Sequence, residues 1–290
     1  MVNSEPAMDE LGSTFPMSPI HTVIEPPRGW APLELGEVWK FRELLLFLTW
    51  RDIMIRYKQT ALGAAWAILQ PVLTMLVFSI IFGGLAKLPS NGVPYPIFTF
   101  AALLPWQLFA FALTNSSNSL VDDQKLISKV YFPRLVIPLS SVIAGLVDFA
   151  IAFLVLIGLM AWYGIHLTPA ILLLPVFLLL ALTSAMAVGL WLSALNVQYR
   201  DIRYVVPFLT QFWMYATPIA YSSELIPQKW LWLYSLNPMT GVVEGFRWAI
   251  LGKSNLDPVS LGISAAVVVV LLIGGLYYFK RMEASFADVI

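Results

Sequence analysis

The 290-residue sequence has no cysteine, two histidines and few charges of either sign. Without cysteine there are no disulfides, no thiolate metal sites and no cysteine nucleophile. His21 and His166 stand far apart in sequence, and His166 has no carboxylate near it, so neither suggests a metal site. Charged residues make up 12% of the chain, against about 25% in an ordinary soluble domain. The 17 basic and 17 acidic side chains cancel, which leaves no basic excess for nucleic acid. Gly252-Lys253-Ser254 has the ending of a phosphate-binding loop, but the glycine that loop needs five residues before Gly252 is Arg247, so no nucleotide site is expected. Asn115-Ser116-Ser117 matches a glycosylation acceptor but falls inside an apolar run.

What is present is apolar surface. Hydrophobic residues are 59% of the chain and the mean hydropathy is +0.78. A chain so poor in polar groups has the bilayer as its natural solvent. Six stretches are long enough to cross a core that needs about 20 residues: 62–86, 97–120, 135–163, 169–195, 204–221 and 259–279. The fifth is the shortest, with Pro207 and Pro218 near its ends. Pro71 and Pro105 lie inside spans, where neighbouring helices can satisfy the freed backbone groups.

Residues 1–32 hold six of the 20 prolines and no basic residue before Arg28. They lack the basic start and apolar stretch of a secretory signal, so an irregular cytosolic arm is expected. Residues 33–60 carry a short apolar run between charges, with Trp39 and Trp50 suited to headgroup level. This pattern predicts an amphipathic helix lying along the membrane, or one packed on the cytosolic face of the protein. Residues 122–131 form a short cytosolic connection ended by Pro133. Residues 222–257 contain two apolar pieces too short to cross, and Asn237-Pro238 breaks between them, since the residue before proline is biased away from helix. Six spans place both termini on one side, and 13 of the 17 basic residues fall on that side. The positive-inside rule makes it the cytoplasm. The expected fold is therefore an all-α polytopic membrane protein with six transmembrane helices, an amphipathic helix before them and two short re-entrant external helices.

Charges within the bilayer are candidates for function. Asp148, near the middle of the third span, either lines a polar pathway or is a hydrogen-bonded structural carboxylate. Glu244 and Arg247, three residues apart, meet on one helical face, as a gating pair or as a salt bridge that stabilises a re-entrant hairpin. Phe208, Gln211, Phe212 and Tyr215 fall on one side of the fifth span. Such rings with an interleaved amide suit either stacked sugars or ordinary helix packing.

The stretch RDIMIRYKQTALGAAWAILQP at 51–71 resembles the membrane subunit of type 2 ABC exporters for lipid-linked polysaccharide, the O-antigen and teichoic-acid permeases. The resemblance continues through KVYFPRLVIP (129–138), LNVQYRDIRYVVP (195–207), Thr217-Pro218 and LNPMTGVVEGFR (236–247). It implies an interface helix at 33–60 with a Leu62-Gly63 turn into the first span. It also implies an ATPase-coupling helix at 122–131, including Asp122, Asp123, Gln124, Lys125, Leu126 and Lys129, and a pair of external gate helices bearing Glu244 and Arg247. Under this resemblance the first and fifth spans line a channel. The chain is then half of a homodimer with two ATP-binding subunits that hold ATP and Mg, no cofactor sits on this chain, and the cargo is a glycan on undecaprenyl diphosphate. Arg51, Arg56 and Lys58, with Tyr57 among them, lie at headgroup level and attract the diphosphate by charge, unless they only express the positive-inside bias. Two other classes stay open. A polyprenyl-linked glycosyltransferase calls for clustered carboxylates or histidines at one face, where the sequence offers scattered Asp122, Asp123 and Asp201. An ATP-independent carrier would show inverted repeats, and none is evident.

Overall fold

The computed structural model describes residues 35–58, 63–252 and 256–289. The arm before residue 33, the Leu62 half of the expected turn, and Lys253 and Ser254 lie outside the described residues. The described residues form helices joined by turns and irregular connections, without strands. In chain order the helices are α1 (Leu35–Lys40), α2 (Arg42–Lys58), α3 (Gly63–Phe78), α4 (Tyr95–Asp122), α5 (Gln124–Ile127), α6 (Val136–Trp162), α7 (Leu174–Gln198), α8 (Ile202–Ala216), α9 (Gln228–Ser235), α10 (Pro238–Leu251) and α11 (Pro258–Val289).

Among the described residues, five helical segments are long and apolar enough to cross a membrane: Ala65–Leu85, Tyr95–Asp122, Val136–Trp162, Pro169–Gln198 and Pro258–Glu283. The first joins α3 to a wide π-helical run at Ser79–Leu85. The expected fifth span differs. Helix α8 has 15 residues, about 22 Å at 1.5 Å per residue, and falls short of the roughly 30 Å core. It stops at Thr217, whose backbone is extended (φ −103°, ψ 144°), because the residue before Pro218 is pushed out of the helical region.

The spans pack around α4, whose faces meet α3, α6, α7, α8 and α10. Small residues make the close approaches possible, as in membrane helix interfaces generally. A Cβ on Gly189 of α7 would lie 2.2 Å from the Ser116 hydroxyl of α4, and one on Gly145 of α6 would lie 2.6 Å from the Phe111 ring. Helix α11 closes onto α7, where the Trp191 indole stacks on Tyr278 at 4.9 Å and donates to the Leu271 carbonyl at 3.0 Å.

Two groups of polar contacts lie at opposite ends. At one, the end of α4 meets α2 and the start of α8, and Arg134 before α6 donates its backbone N–H to Glu283 of α11 at 3.1 Å. At the other, about 40 Å away by the length of the 28-residue α4, the Tyr95 hydroxyl donates to the Ala220 carbonyl and Thr168 donates to Ala249 at 2.8 Å. Helix α8 and the chain to Ala220 thus run from one end of α4 to the other. The expected helix at 33–60 is divided at Phe41 into α1 and α2, and α2 packs along α6 with Leu48 and Thr49 buried. The expected helix at 122–131 is a single turn, α5, after which 128–135 is irregular.

Candidate functional site

Helix α2 delivers its charges to two levels of the bundle. At the charged end Arg51 donates to Asp123 at 2.6 Å and to Asp52 at 2.8 Å. Burial works against the Arg51 cation, but its bonds to Asp123 and Asp52 outweigh this and hold its pKa above the ordinary value. Burial lifts the Asp52 carboxyl above the usual carboxylate range, against the pull of Arg51. The neighbouring Asp122 accepts from Arg203 of α8 at 3.3 Å. Adjacent aspartates at the foot of α4 therefore hold α2 on one side and α8 on the other.

One and a half turns further along α2, Arg56 lies 2.8 Å from Asp148 and 4.1 Å over the Phe111 ring. The Tyr57 hydroxyl also donates to Asp148. Burial first, then this bond, pushes the Tyr57 phenol up to about 12. Asp148 sits 12 residues into α6, about 18 Å along the helix. An uncompensated carboxylate at that depth would be costly, and α2 supplies its counter-charge. Lys58 is exposed.

The short helix α5 projects from the same end. Ile127 is buried as its anchor, while Gln124, Lys125, Lys129, Val130 and Tyr131 are exposed and Leu126 is half-buried. The coupling residues expected from sequence thus split. Lys125 and Lys129 face outward, whereas Asp122 and Asp123 are bonded to other helices of the same chain.

Helix α8 is two-sided. Val206 and Thr210 are buried, and Trp213 packs edge-on to Phe109 at 5.1 Å while donating to Asn237 at 2.9 Å. On the other side Phe208 and Phe212 stack at 6.4 Å, and Gln211 and Tyr215 are exposed with them. The aromatic stripe does not pack inside the subunit.

At the far end Arg247 is 1% exposed and lies 3.7 Å from Glu244, so the two meet on one face as expected. The larger part of its bonding is elsewhere. The guanidinium donates to the carbonyls of Phe98 at 3.3 Å, Tyr221 at 3.0 Å, Pro218 and Ile219, and lies 3.8 Å over the Phe98 ring. Glu244 accepts the Ser223 N–H at 3.2 Å. The pair ties α10 to the start of α4 and to the segment that follows α8. The break between α9 and α10 falls at Asn237-Pro238 as expected, with the Asn237 side chain capping Met239 at 3.0 Å.

Sequence reasoning missed the partners: Asp52 and Asp123 for Arg51, Arg203 for Asp122, and Phe98 and Phe111 beneath the two arginines. It also passed over Gln70 and Gln107, which line a cavity beside Asp148. Their signal was present, because an amide in a run otherwise fit for lipid is as conspicuous as a carboxylate.

Comparison with known proteins identifies the family. Residues 43–251 match the ABC-2 type transporter family. The O-antigen export system permease protein RfbA of Myxococcus xanthus is 33% identical over 255 residues, 87% of this chain and 97% of that protein. A Klebsiella pneumoniae protein of the same name is 29% identical over 86% of this chain and 95% of its own length. The Polysialic acid transport protein KpsM of Escherichia coli is 28% identical over 86% of this chain and 96% of its own. With most of its length inside the family's pattern, the chain belongs to the ABC-2 type transporter family, as a permease subunit that passes through the membrane several times and is not itself an enzyme.

Proposed function

We propose that this chain forms half of the transmembrane pathway of an ABC exporter that moves a polysaccharide on undecaprenyl diphosphate across the inner membrane. Two copies enclose the path, and two ATP-binding subunits, which hold ATP and Mg, drive it. The relatives named for O-antigen export and polysialic acid transport, matched over most of their lengths, support the cargo. The observation that carries the reading is the outward stripe of Phe208, Gln211, Phe212 and Tyr215 on a helix whose other side is buried. A long glycan cannot enter hydrocarbon, because each unpaired hydroxyl costs several kcal/mol. A wall of rings and amides replaces that cost with stacking and hydrogen bonds.

Six crossings suit this arrangement. Helix α8 and residues 217–220 together run the length of α4, so a helix too short to cross alone serves as the fifth passage. Both termini then lie in the cytoplasm, at the end that also holds Arg51, Arg134, Arg203 and Lys280. Helices α9 and α10 form the external gate region, which Arg247 fixes to the ends of α4 and α8. At the cytosolic end the ATP-binding subunit docks on the outer face of α5 through Lys125, Lys129 and Tyr131. Movement of α5 passes to α2 through Asp123–Arg51 and to α8 through Asp122–Arg203, and α8 carries the stripe. The diphosphate is drawn to the cationic surface of α2, where Lys58 is exposed and Arg51 and Arg56 are already bonded to carboxylates.

The test is deletion of this chain in its native cell, with chemical detection of surface glycan and of cytoplasmic lipid-linked glycan. Loss of the first and build-up of the second, reversed by the intact gene, is the expected result. Normal surface glycan in the deletion strain would overturn the reading.

A further inference from the structure

Two open cavities meet on the subunit, and the walls of both include exposed residues. The larger, about 620 Å³, opens at the charged end between α2, α4 and α6, with Arg51, Asp52, Asp122 and Asp123 in its wall. The smaller, about 410 Å³, lies deeper, between α3, α4, α6 and α8. Arg56, Phe111 and Asn115 line both. The two chambers therefore join where the Arg56 guanidinium rests on Phe111 and reaches Asp148.

The chemistry of the inner chamber is specific. Its two charges, Arg56 and Asp148, neutralise each other. The rest of its polar lining includes the amides of Gln70 and Gln107 and the hydroxyl of Thr114. None of these three side chains bonds to another described residue. Beside them stand the rings of Trp66, Trp106 and Phe149. Unpartnered amides at membrane depth are unfavourable unless something polar meets them. Amides donate and accept, as sugar hydroxyls require, and aromatic faces suit the C–H face of a sugar ring. The chamber volume lies within the range of small-molecule sites. A free anion is poorly served. Among the described residues, the cation of the inner chamber, Arg56, is held by a carboxylate, and the outer chamber sets three aspartates against two arginines.

We propose that each subunit holds a binding site for a neutral pyranose ring in the inner chamber, entered from the cytosolic end past Arg56. This inference rests on the glycan cargo proposed above and deepens it. The sugar nearest the lipid carrier is recognised inside one subunit, apart from the α8 stripe, while its phosphates remain outside. Gln70, Gln107 and the Trp66 and Trp106 rings determine which sugar is accepted, and charged sugars are disfavoured because Arg56 and Asp148 already satisfy each other.

The experiment uses the complete transporter, this chain with its ATP-binding partner, in lipid nanodiscs. Two probes are titrated calorimetrically: oligosaccharide released by mild acid from the cell's own lipid-linked glycan, which carries no phosphate, and inorganic diphosphate. Wild type is expected to bind the oligosaccharide at one site per subunit. Gln107→Leu and Gln70→Leu are each expected to weaken it about three- to tenfold, the value of one neutral hydrogen bond, and to leave diphosphate binding unchanged. The two glutamines lie on different helices and Gln70 is exposed, so one variant keeps the test open if the other fails to fold. No oligosaccharide binding by wild type, or equal binding by folded variants, overturns the inference. So does diphosphate competing for the same site with an affinity that falls in both variants. If the site binds sugar as described but cells lacking the chain still display surface glycan, the cargo reading fails alone. If export needs the chain and the variants bind normally, the inner site fails alone.

Discussion

Replacing Arg247 by methionine keeps the apolar stem and removes the guanidinium donors from the far end of the bundle. In the structure this leaves the carbonyls of Phe98, Pro218, Ile219 and Tyr221 without their guanidinium, and Glu244 buried without its cation. A buried polar group that loses its partner costs about 1–3 kcal/mol. Four such groups give a total of at least about 4 kcal/mol even at the low end of that range. That exceeds the usual effect of a point mutation, about 0.5–3 kcal/mol. At about 2–4 °C per kcal/mol for a chain of this size, the melting midpoint should fall by roughly 10 °C. The assay is intrinsic fluorescence of the purified chain in nanodiscs, heated at one fixed rate because membrane-protein unfolding is commonly irreversible. Arg247→Lys retains charge but loses the planar fork and the stacking on Phe98, and should fall between the two. Glu244→Gln retains an oxygen to accept the Ser223 N–H and should shift the midpoint less than either. An Arg247→Met midpoint within about 2 °C of wild type would refute the view that this guanidinium holds the external end together.

Charge exchange in Arg51→Asp with Asp123→Arg should restore the ATPase coupling that either single change weakens, as read by glycan-stimulated hydrolysis in the full complex. Equal loss in the double variant would remove the link from α5 to α2. Phe212→Ala should leave the melting midpoint nearly unchanged, since the residue is 67% exposed, while lowering glycan export in cells; unaltered export would return the stripe to lipid contact. Gly189→Val should destabilise by about 1–3 kcal/mol through overpacking against Ser116, and Ser116→Gly should recover part of that loss; failure to recover would mean that the α4–α7 contact yields elsewhere. Tyr57 keeps its proton in the folded chain to about pH 12, against about 10 when unfolded. Its contribution is therefore full below pH 10 and lost as pH rises toward 12. Tyr57→Phe should flatten the decline in melting midpoint over that interval, and an unchanged slope would place the titration elsewhere.

The spans were legible as long apolar runs, because length and apolarity depend on the residues themselves. The expected second span at 97–120 became Tyr95–Asp122, and the third at 135–163 became Val136–Trp162. The fifth was overextended. Apolarity runs through Tyr221 in the sequence, but Pro218 ends the helix by excluding Thr217 from helical angles. The external break at Asn237-Pro238 was readable for the same local reason. The aromatic stripe was readable as a period, and only the fold shows that it points away from the core.

Composition and hydropathy alone assigned this protein to the membrane as a helical, multi-pass chain, since burying 59% hydrophobic residues is a matter of solvent. Sequence also marked Asp148, Glu244 and Arg247 as exceptional, because charge in an apolar run is visible without coordinates. What each charge meets was decided by tertiary structure. Arg56 reaches across 92 residues to Asp148 and Arg51 across 72 to Asp123, and Arg247 bonds backbone carbonyls that any residues would have offered. Pairing of that kind depends on where helices lie relative to one another. The geometry that decides it is set by close approaches such as Gly189 on Ser116, which no single segment encodes.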